Sequence, residues 1–324
     1  MKNIYSKDNP YYHGVMFHHI HDGKKFQKSQ GSISSKQFEK TLKYIGIENI
    51  LTPDDFLKKY NLKKLKKNEV CLTFDDGLKC HKDIVAKVLN KYDLKGIFFI
   101  YTSIFDKNPN LFECYRVFRL TYYKNINSFY KHFFLKAENV ISQKKIKFFL
   151  NKNKQKIISL KKLYSFYTLN DLKFRLLRDG LLNLNQYQSL MMQLFKEKNF
   201  DYRKYIKKTL LSKKDIQYLS KKGHSIGLHS HSHTTSLENK NINFQKNDFK
   251  TNYSILKNIT KVKPVFASYP LGKYNHNSIN TLKKLNIKLA FRANVKKNDL
   301  ITTKKINGSR LEIAREDSAN IKIN

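Results

Sequence analysis

The segment VCLTF at positions 70–74 has the β-branched and aromatic character of a buried strand, and it runs directly into Asp75, Asp76 and Gly77. A chain can keep two adjacent carboxylates at the end of a core strand only where a cation or hydrogen bonds compensate them. The neighbouring segments supply the frame. GVMFHHI at 14–20 reads as a short strand, and SSKQFEKTLKYI at 34–45 sets Phe38, Leu42 and Ile45 at helical spacing behind a serine cap. Between 82 and 92, Ile84, Val85, Val88 and Leu89 share one helix face, and GIFFIY at 96–101 is the next strand. Strand, helix, strand in this order predicts a right-handed parallel unit.

From about 106 to 210 the texture changes to lysine-rich segments with apolar residues at intervals of three and four and almost no Gly or Pro. The clearest helices there are 169–178 and 186–200. The alternation resumes at Ser212 with a capped helix, SKKDIQYLSKKG, then the strand HSIGLHS, a helix around 247–260, the strand VFASYP, a helix at 278–285 and the strand KLAFRA. No repeat and no Pro-rich or Gly/Ser-rich linker divides the chain, so a second unit is expected as an insertion. The expected organisation is an α/β unit over 1–105 and 211–324, either a barrel or a doubly wound sheet, with a helical insertion over 106–210. In both architectures functional residues gather at the carboxyl ends of strands. Tyr164, Phe166 and Tyr167 in the insertion read as packing aromatics.

The formal net charge is +39, which ordinarily points to phosphate polymers or anionic membrane surfaces. Of the 64 basic residues, however, only eight are Arg, and the chain is also rich in Asn, Ile, Tyr and Phe, the bias of an AT-rich genome. Lysines spread over a solvated surface account for most of the charge; peripheral contact with an anionic membrane surface remains an expected partner, and nucleic acid is disfavoured. Cys71, Cys80 and Cys114 form no C-x-x-C pair, which argues against a disulfide framework and a cysteine zinc site. The start, MKNIYSKDNPYYH, has no apolar signal-peptide core, and the longest apolar run is about half the ~20 residues of a membrane span. The expected location is cytoplasmic, in solution or at the inner membrane surface.

A divalent metal is the simplest compensation for Asp75 and Asp76, and HSIGLHSHSH at 224–233 supplies imidazoles for it. His229 and His233 are four apart and can converge on one ion from a strand that turns into a loop. A regular strand would instead set His229, His231 and His233 on one face, so spacing alone does not choose among them.

Three motifs in order, TFDDG at 73–77, GHSIGLHSHSH at 223–233 and SYPLG at 268–272, resemble the polysaccharide deacetylase family, also called the NodB homology domain or carbohydrate esterase family 4. The resemblance implies a distorted (β/α) barrel with fewer than eight strands. It also implies a general base at Asp75, metal ligands at Asp76, His229 and His233, and substrate or oxyanion contacts around Tyr269, Pro270 and Gly272, including a backbone N–H near Tyr269. The implied reaction is hydrolysis of N-acetyl groups on a sugar, polysaccharide or glycolipid precursor. Two departures matter. VFASYPLG lacks the arginine of the family's R-x-P-Y motif and is similar to an exopolysaccharide-deacetylase variant, which leaves Arg310 and Arg292 as candidates to orient Asp75. The family's late histidine is missing as well, and FHHI at 17–20 is similar to an amino-terminal segment of that variant, which makes His18 the expected general acid ahead of His19 and His21. A carboxylate with two imidazoles suits Zn first and Co, Ni, Mn or Fe as well. The competing readings are an inactive basic protein that binds glycan or nucleic acid on the same fold, and an O-acetyl esterase.

Overall fold

The computed structural model describes residues 13–29, 31–107, 109–163, 167–294, 300–303 and 305–321. The chain divides into two units, Met1–Asn110 with Lys207–Asn324, and Leu111–Ile206.

In the first unit the strands are β1 (Gly14–Phe17), β2 (Ile20–His21), β3 (Ile33–Ser34), β4 (Cys71–Phe74), β5 (Ile97–Ile100), β6 (Ser225–Leu228), β7 (Phe266–Ser268), β8 (Leu289–Phe291) and β9 (Arg315–Asp317). β2 and β3 make a small ladder of their own. The other seven form one parallel sheet in the order β8-β7-β6-β5-β4-β1-β9. Its two edges nearly meet. Ile313 pairs with Phe291 of β8, and two residues further on the same segment becomes β9 and pairs with β1. The result is the expected distorted (β/α) barrel with fewer than eight strands.

Alternation along the strands separates interior from exterior. Cys71, Ile97, Phe99, Phe266, Leu289, Phe291 and Ile313 form one buried cluster together with Phe56. These side chains fill the barrel as a core. Phe17, Phe74 and Phe98 belong to the opposite parity and stack in a row, with centroids 5.4 and 4.8 Å apart, and Phe38 of the helix Ser35–Ile45 meets Phe17 edge-on at 4.9 Å. That helix starts where the serine predicts. Ser34 Oγ accepts from Gln37 N–H, and the Gln37 side chain accepts from Ser34 N–H. Such a reciprocal cap contributes about 1 kcal/mol.

The expected helix at 82–92 forms in two pieces, a wide π turn at His81–Val85 followed by Ala86–Lys91. The helix expected from 247 begins earlier, at Ile242, because Asn241 caps it and Gln245 folds into the core.

The unit Leu111–Ile206 is helical. Phe118, Phe129, Phe133, Phe174, Phe195 and Phe200 pack with Tyr115, Tyr130 and Tyr187 in one cluster, many of the rings meeting edge to face. The helix expected over 169–178 ends at Leu176 and continues as a π turn over Leu177–Leu181. Among the described residues no helix is long and apolar enough to cross a membrane.

Candidate active site

β4 delivers Asp75 and Asp76 to the carboxyl end of the sheet. On a regular strand consecutive side chains point to opposite faces, yet both carboxylates turn to one site, because Asp76 adopts φ +75° and Gly77 follows at φ +61°. Both aspartates are buried.

β6 ends at Leu228, and the chain leaves the strand geometry immediately, with Ser230 at φ +58° and His233 at φ +48°. The turn resolves the histidines that spacing left open. His229 Nε2 lies 3.3 Å and His233 Nε2 3.0 Å from Asp76 Oδ1. His231 swings away, with Nδ1 2.9 Å from Thr102 Oγ1 and Nε2 3.0 Å from Asp106. Backbone and side-chain anchors hold the turn: His229 N–H donates to Asn252 Oδ1 at 3.0 Å, and Asn252 in turn donates to Ile100 O and Thr102 Oγ1.

The donor set fits a divalent cation. One atom from each of Asp76, His229 and His233 lies within 4.8 Å of the other two, and all three residues are buried. His229 Nδ1 faces the Ser268 carbonyl at 3.0 Å, so the proton sits on Nδ1 and the Nε2 lone pair points at the carboxylates, the arrangement found behind metal-binding imidazoles. The electrostatics make the same demand. Burial by itself would lower the His229 pKa, but Asp75 and Asp76 outweigh it and raise the value, so the cluster draws in positive charge. Burial would raise Asp76, and the two imidazoles hold it well below the usual carboxylate range.

Asp75 has a different partner. Arg315 Nη1 and Nη2 donate to its two oxygens, each at 2.7 Å, and Ser268 Oγ reaches Oδ2 at 3.3 Å. The remaining Arg315 N–H groups are also used. Nε donates to Arg292 O at 3.0 Å, Nη1 to Thr73 Oγ1 at 3.1 Å and Nη2 to Ser268 Oγ at 2.7 Å. All five donors of a fully buried guanidinium are satisfied, the condition under which a buried charge is tolerable. Burial pushes Asp75 upward, Arg315 and His229 outweigh it, and the carboxyl stays below its usual range.

Sequence reasoning nominated Arg310 and Arg292 for this contact, and the structure gives it to Arg315 instead. Arg310 is exposed. Arg292 is buried, but its Nε donates to Asn294 O at 2.9 Å, and its own carbonyl accepts from Arg315 Nε. A signal for Arg315 was present in the sequence. Leu311, Ile313 and Arg315 alternate, and Ile313 belongs to the interior cluster, so a period of two carries Arg315 to the interior face. Gly14, paired with Arg315 across β1 and β9, leaves room for its stem, since a Cβ there would lie 2.5 Å from Arg315 Cγ.

The remaining nominees fall as follows. His18, directly after β1, places Nε2 4.0 Å from Asp76 Oδ2 with its side chain 34% exposed. Its carbonyl pairs with Nε2 of the fully buried His81 at 2.9 Å, and burial depresses the His81 pKa to about 4. His19 and His21 are half-buried, and His21 pairs with Ser34 in the small ladder. Tyr269 is buried: its hydroxyl donates to Leu311 O at 2.9 Å, its N–H to Phe291 O at 3.2 Å, and its ring stacks on Tyr274 at 4.2 Å. Its side chain and amide are therefore committed to the core. Pro270 and Gly272 form the tight turn after it, with Leu271 between them at φ +54°. Tyr167 stacks against the Arg175 guanidinium at 4.1 Å, while Tyr164 and Phe166 lie outside the described residues.

A family model described as polysaccharide deacetylase matches residues 62–117 and 183–290. No curated protein matches the chain. Among solved structures, the Streptococcus pyogenes deacetylase PplD in complex with acetate is 16% identical with a TM-score of 0.53, covering 95% of this chain and 92% of its own. A de-N-acetylase from Aggregatibacter actinomycetemcomitans is 14% identical with a TM-score of 0.54 and 97% coverage of both chains. IcaB from Ammonifex degensii is 12% identical with a TM-score of 0.50, covering 94% of this chain and 87% of its own. At these identities the likeness is one of fold.

Proposed function

The chain belongs to the polysaccharide deacetylase family and is a carbohydrate deacetylase, and from that premise we propose that it removes N-acetyl groups from an acetylated polysaccharide or glycan precursor by metal-assisted hydrolysis. The observation that carries this reading is the adjacency of two differently compensated carboxylates, Asp76 among imidazoles and Asp75 in the fork of Arg315. A divalent cation held by Asp76, His229 and His233, with zinc the first expectation, would acidify a water molecule and polarise the acetyl oxygen.

The protein's own residues supply the proton transfers. Arg315 keeps Asp75 ionised and fixes the direction of its carboxylate, so Asp75 accepts the proton of the attacking water. The water oxygen bonds to the acetyl carbon, and as the C–N bond breaks the electron pair leaves with the nitrogen. His18, on the more open side, gives that nitrogen its proton. Acetate and a free amine are the products. An amide demands this acid more than an ester does, because an unprotonated amide anion is a far poorer leaving group than an alkoxide. In the turn at 270–272 Pro270 has no N–H and Gly272 N–H donates to Tyr269 O at 2.9 Å, so with Tyr269 N–H also engaged the Leu271 N–H is the backbone donor for the acetyl oxygen.

The test is acetate release from N-acetylated and O-acetylated oligosaccharides, with metal content measured on the same samples. Release that disappears on chelation, returns with zinc, and is lost in Asp75→Asn with metal still bound supports the reading. Release that survives chelation overturns it, as does Asp75→Asn losing its metal.

A further inference from the structure

Two consecutive helices of the unit Leu111–Ile206, Gln143–Lys152 and Lys154–Leu163, share a pattern that the deacetylase reading does not use. From 143 to 163 the chain has eight lysines, no acidic residue and no arginine. The first helix buries Ile146 and turns Phe148 to solvent, 71% exposed, the most exposed of the large apolar side chains described. Its neighbours on that face, at i−4, i−3 and i+4, are Lys144, Lys145 and Lys152. The second helix repeats the arrangement, with Ile157 buried, Ile158 turned outward at 38% exposure, and Lys154 and Lys162 at i−4 and i+4. An isolated exposed apolar residue is ordinary. Two in succession, each at the centre of a cationic helix face, are not explained by a lysine-rich composition alone.

We propose that this helix pair is a docking face for an anionic lipid bilayer, with Phe148 and Ile158 entering the headgroup–acyl boundary and the surrounding ammonium groups resting at the phosphate level. The chemistry selects a bilayer. Lysine stems are apolar and reach outward to phosphate while an apolar side chain between them goes deeper. Anionic headgroups supply the negative charge that the segment itself lacks. A nucleic acid would find no arginine forks here, and Ile158 offers no ring for base stacking. The proposal does not depend on the chemistry of the active site.

The chain contains no tryptophan, so Phe148→Trp introduces a single reporter. The experiment titrates that protein with vesicles of phosphatidylcholine alone and with about one-third phosphatidylglycerol, reading emission wavelength and co-sedimentation. The expected result is a blue shift with the anionic vesicles only, reversed at high salt. In the otherwise native chain, Lys144→Gln with Lys145→Gln and Lys152→Gln is expected to weaken sedimentation about 100-fold. Phe148→Ser is expected to weaken it about tenfold, with unchanged circular dichroism for both. Sedimentation without a blue shift, equal binding to neutral vesicles, or tighter binding to duplex DNA than to anionic vesicles would each overturn the proposal.

Discussion

The barrel unit gathers its buried charges into a bonded network at the carboxyl end of an apolar interior, whereas the helical unit sets the few charges it buries, Glu113, Arg119 and Asp171, among a cluster of rings. In the barrel Asp75, Asp76, Arg292, Glu312 and Arg315 are all buried, and the Asp75–Arg315 pair is satisfied atom by atom by Thr73, Ser268 and a backbone carbonyl. In the helical unit the largest buried cluster is aromatic, with Phe118 alone meeting Phe195 at 4.7 Å and Phe200 at 5.2 Å. The two centres fail differently. An aromatic cluster loses contacts in proportion to what is removed, whereas a satisfied buried network loses a partner and strands a charge.

The comparison is broken most sharply at Asp75. Asp75→Asn is expected to lower turnover by about 10⁴-fold while leaving metal stoichiometry unchanged, read by acetate release and elemental analysis. Next is a matched pair of truncations. Arg315→Met is expected to cost about 3–5 kcal/mol because Asp75 is left buried without its partner, and to lower turnover as well. Phe174→Ala is expected to cost about as much by opening a cavity in the helical unit, with turnover per folded molecule retained. Chemical denaturation of both variants beside activity assays tests the contrast, and equal losses of turnover would remove it.

Acid separates the units more gently. His81 and His224 are held near pKa 4 by burial, below the ordinary 6.5, so in the unfolded chain they take up protons first. The stability they allow is fully present above pH 6.5 and is lost as pH falls from there through 4, on the order of 3 kcal/mol for His81. Among the described residues the helical unit buries no histidine. Hydrogen exchange on metal-free protein at pH 7 and pH 4.5 should therefore show the barrel amides loosening first, and His224→Asn should flatten part of that response. The smallest effect is expected at Gly14→Ala, which crowds the stem of Arg315 and costs about 1–3 kcal/mol, with kcat falling more than metal affinity.

Most of the barrel could be read from the sequence because its central strands are apolar and each motif sits where a strand stops. β9 is the exception. Its residues are Arg315, Glu316 and Asp317, so the only apolar cue is the alternation of Leu311 and Ile313 just before it, a register that includes Arg315 and leaves out Arg310. The choice among His229, His231 and His233 needed the positive φ angles at Ser230 and His233, which spacing does not encode. The π turns at His81–Val85 and Leu177–Leu181 escaped for a similar reason, since the apolar stripe continues through them while the backbone hydrogen bonds shift by one residue.

Asp75 and its partner Arg315 are 240 residues apart in sequence. A ribosome adding about 5–20 residues per second needs tens of seconds to cover that distance. Throughout that interval the nascent chain carries both aspartates without the guanidinium that makes burial of Asp75 tolerable. Burial of Asp75 is therefore expected to wait for β9, the last of the sheet's strands in chain order, and the fork that orients its carboxylate closes only then.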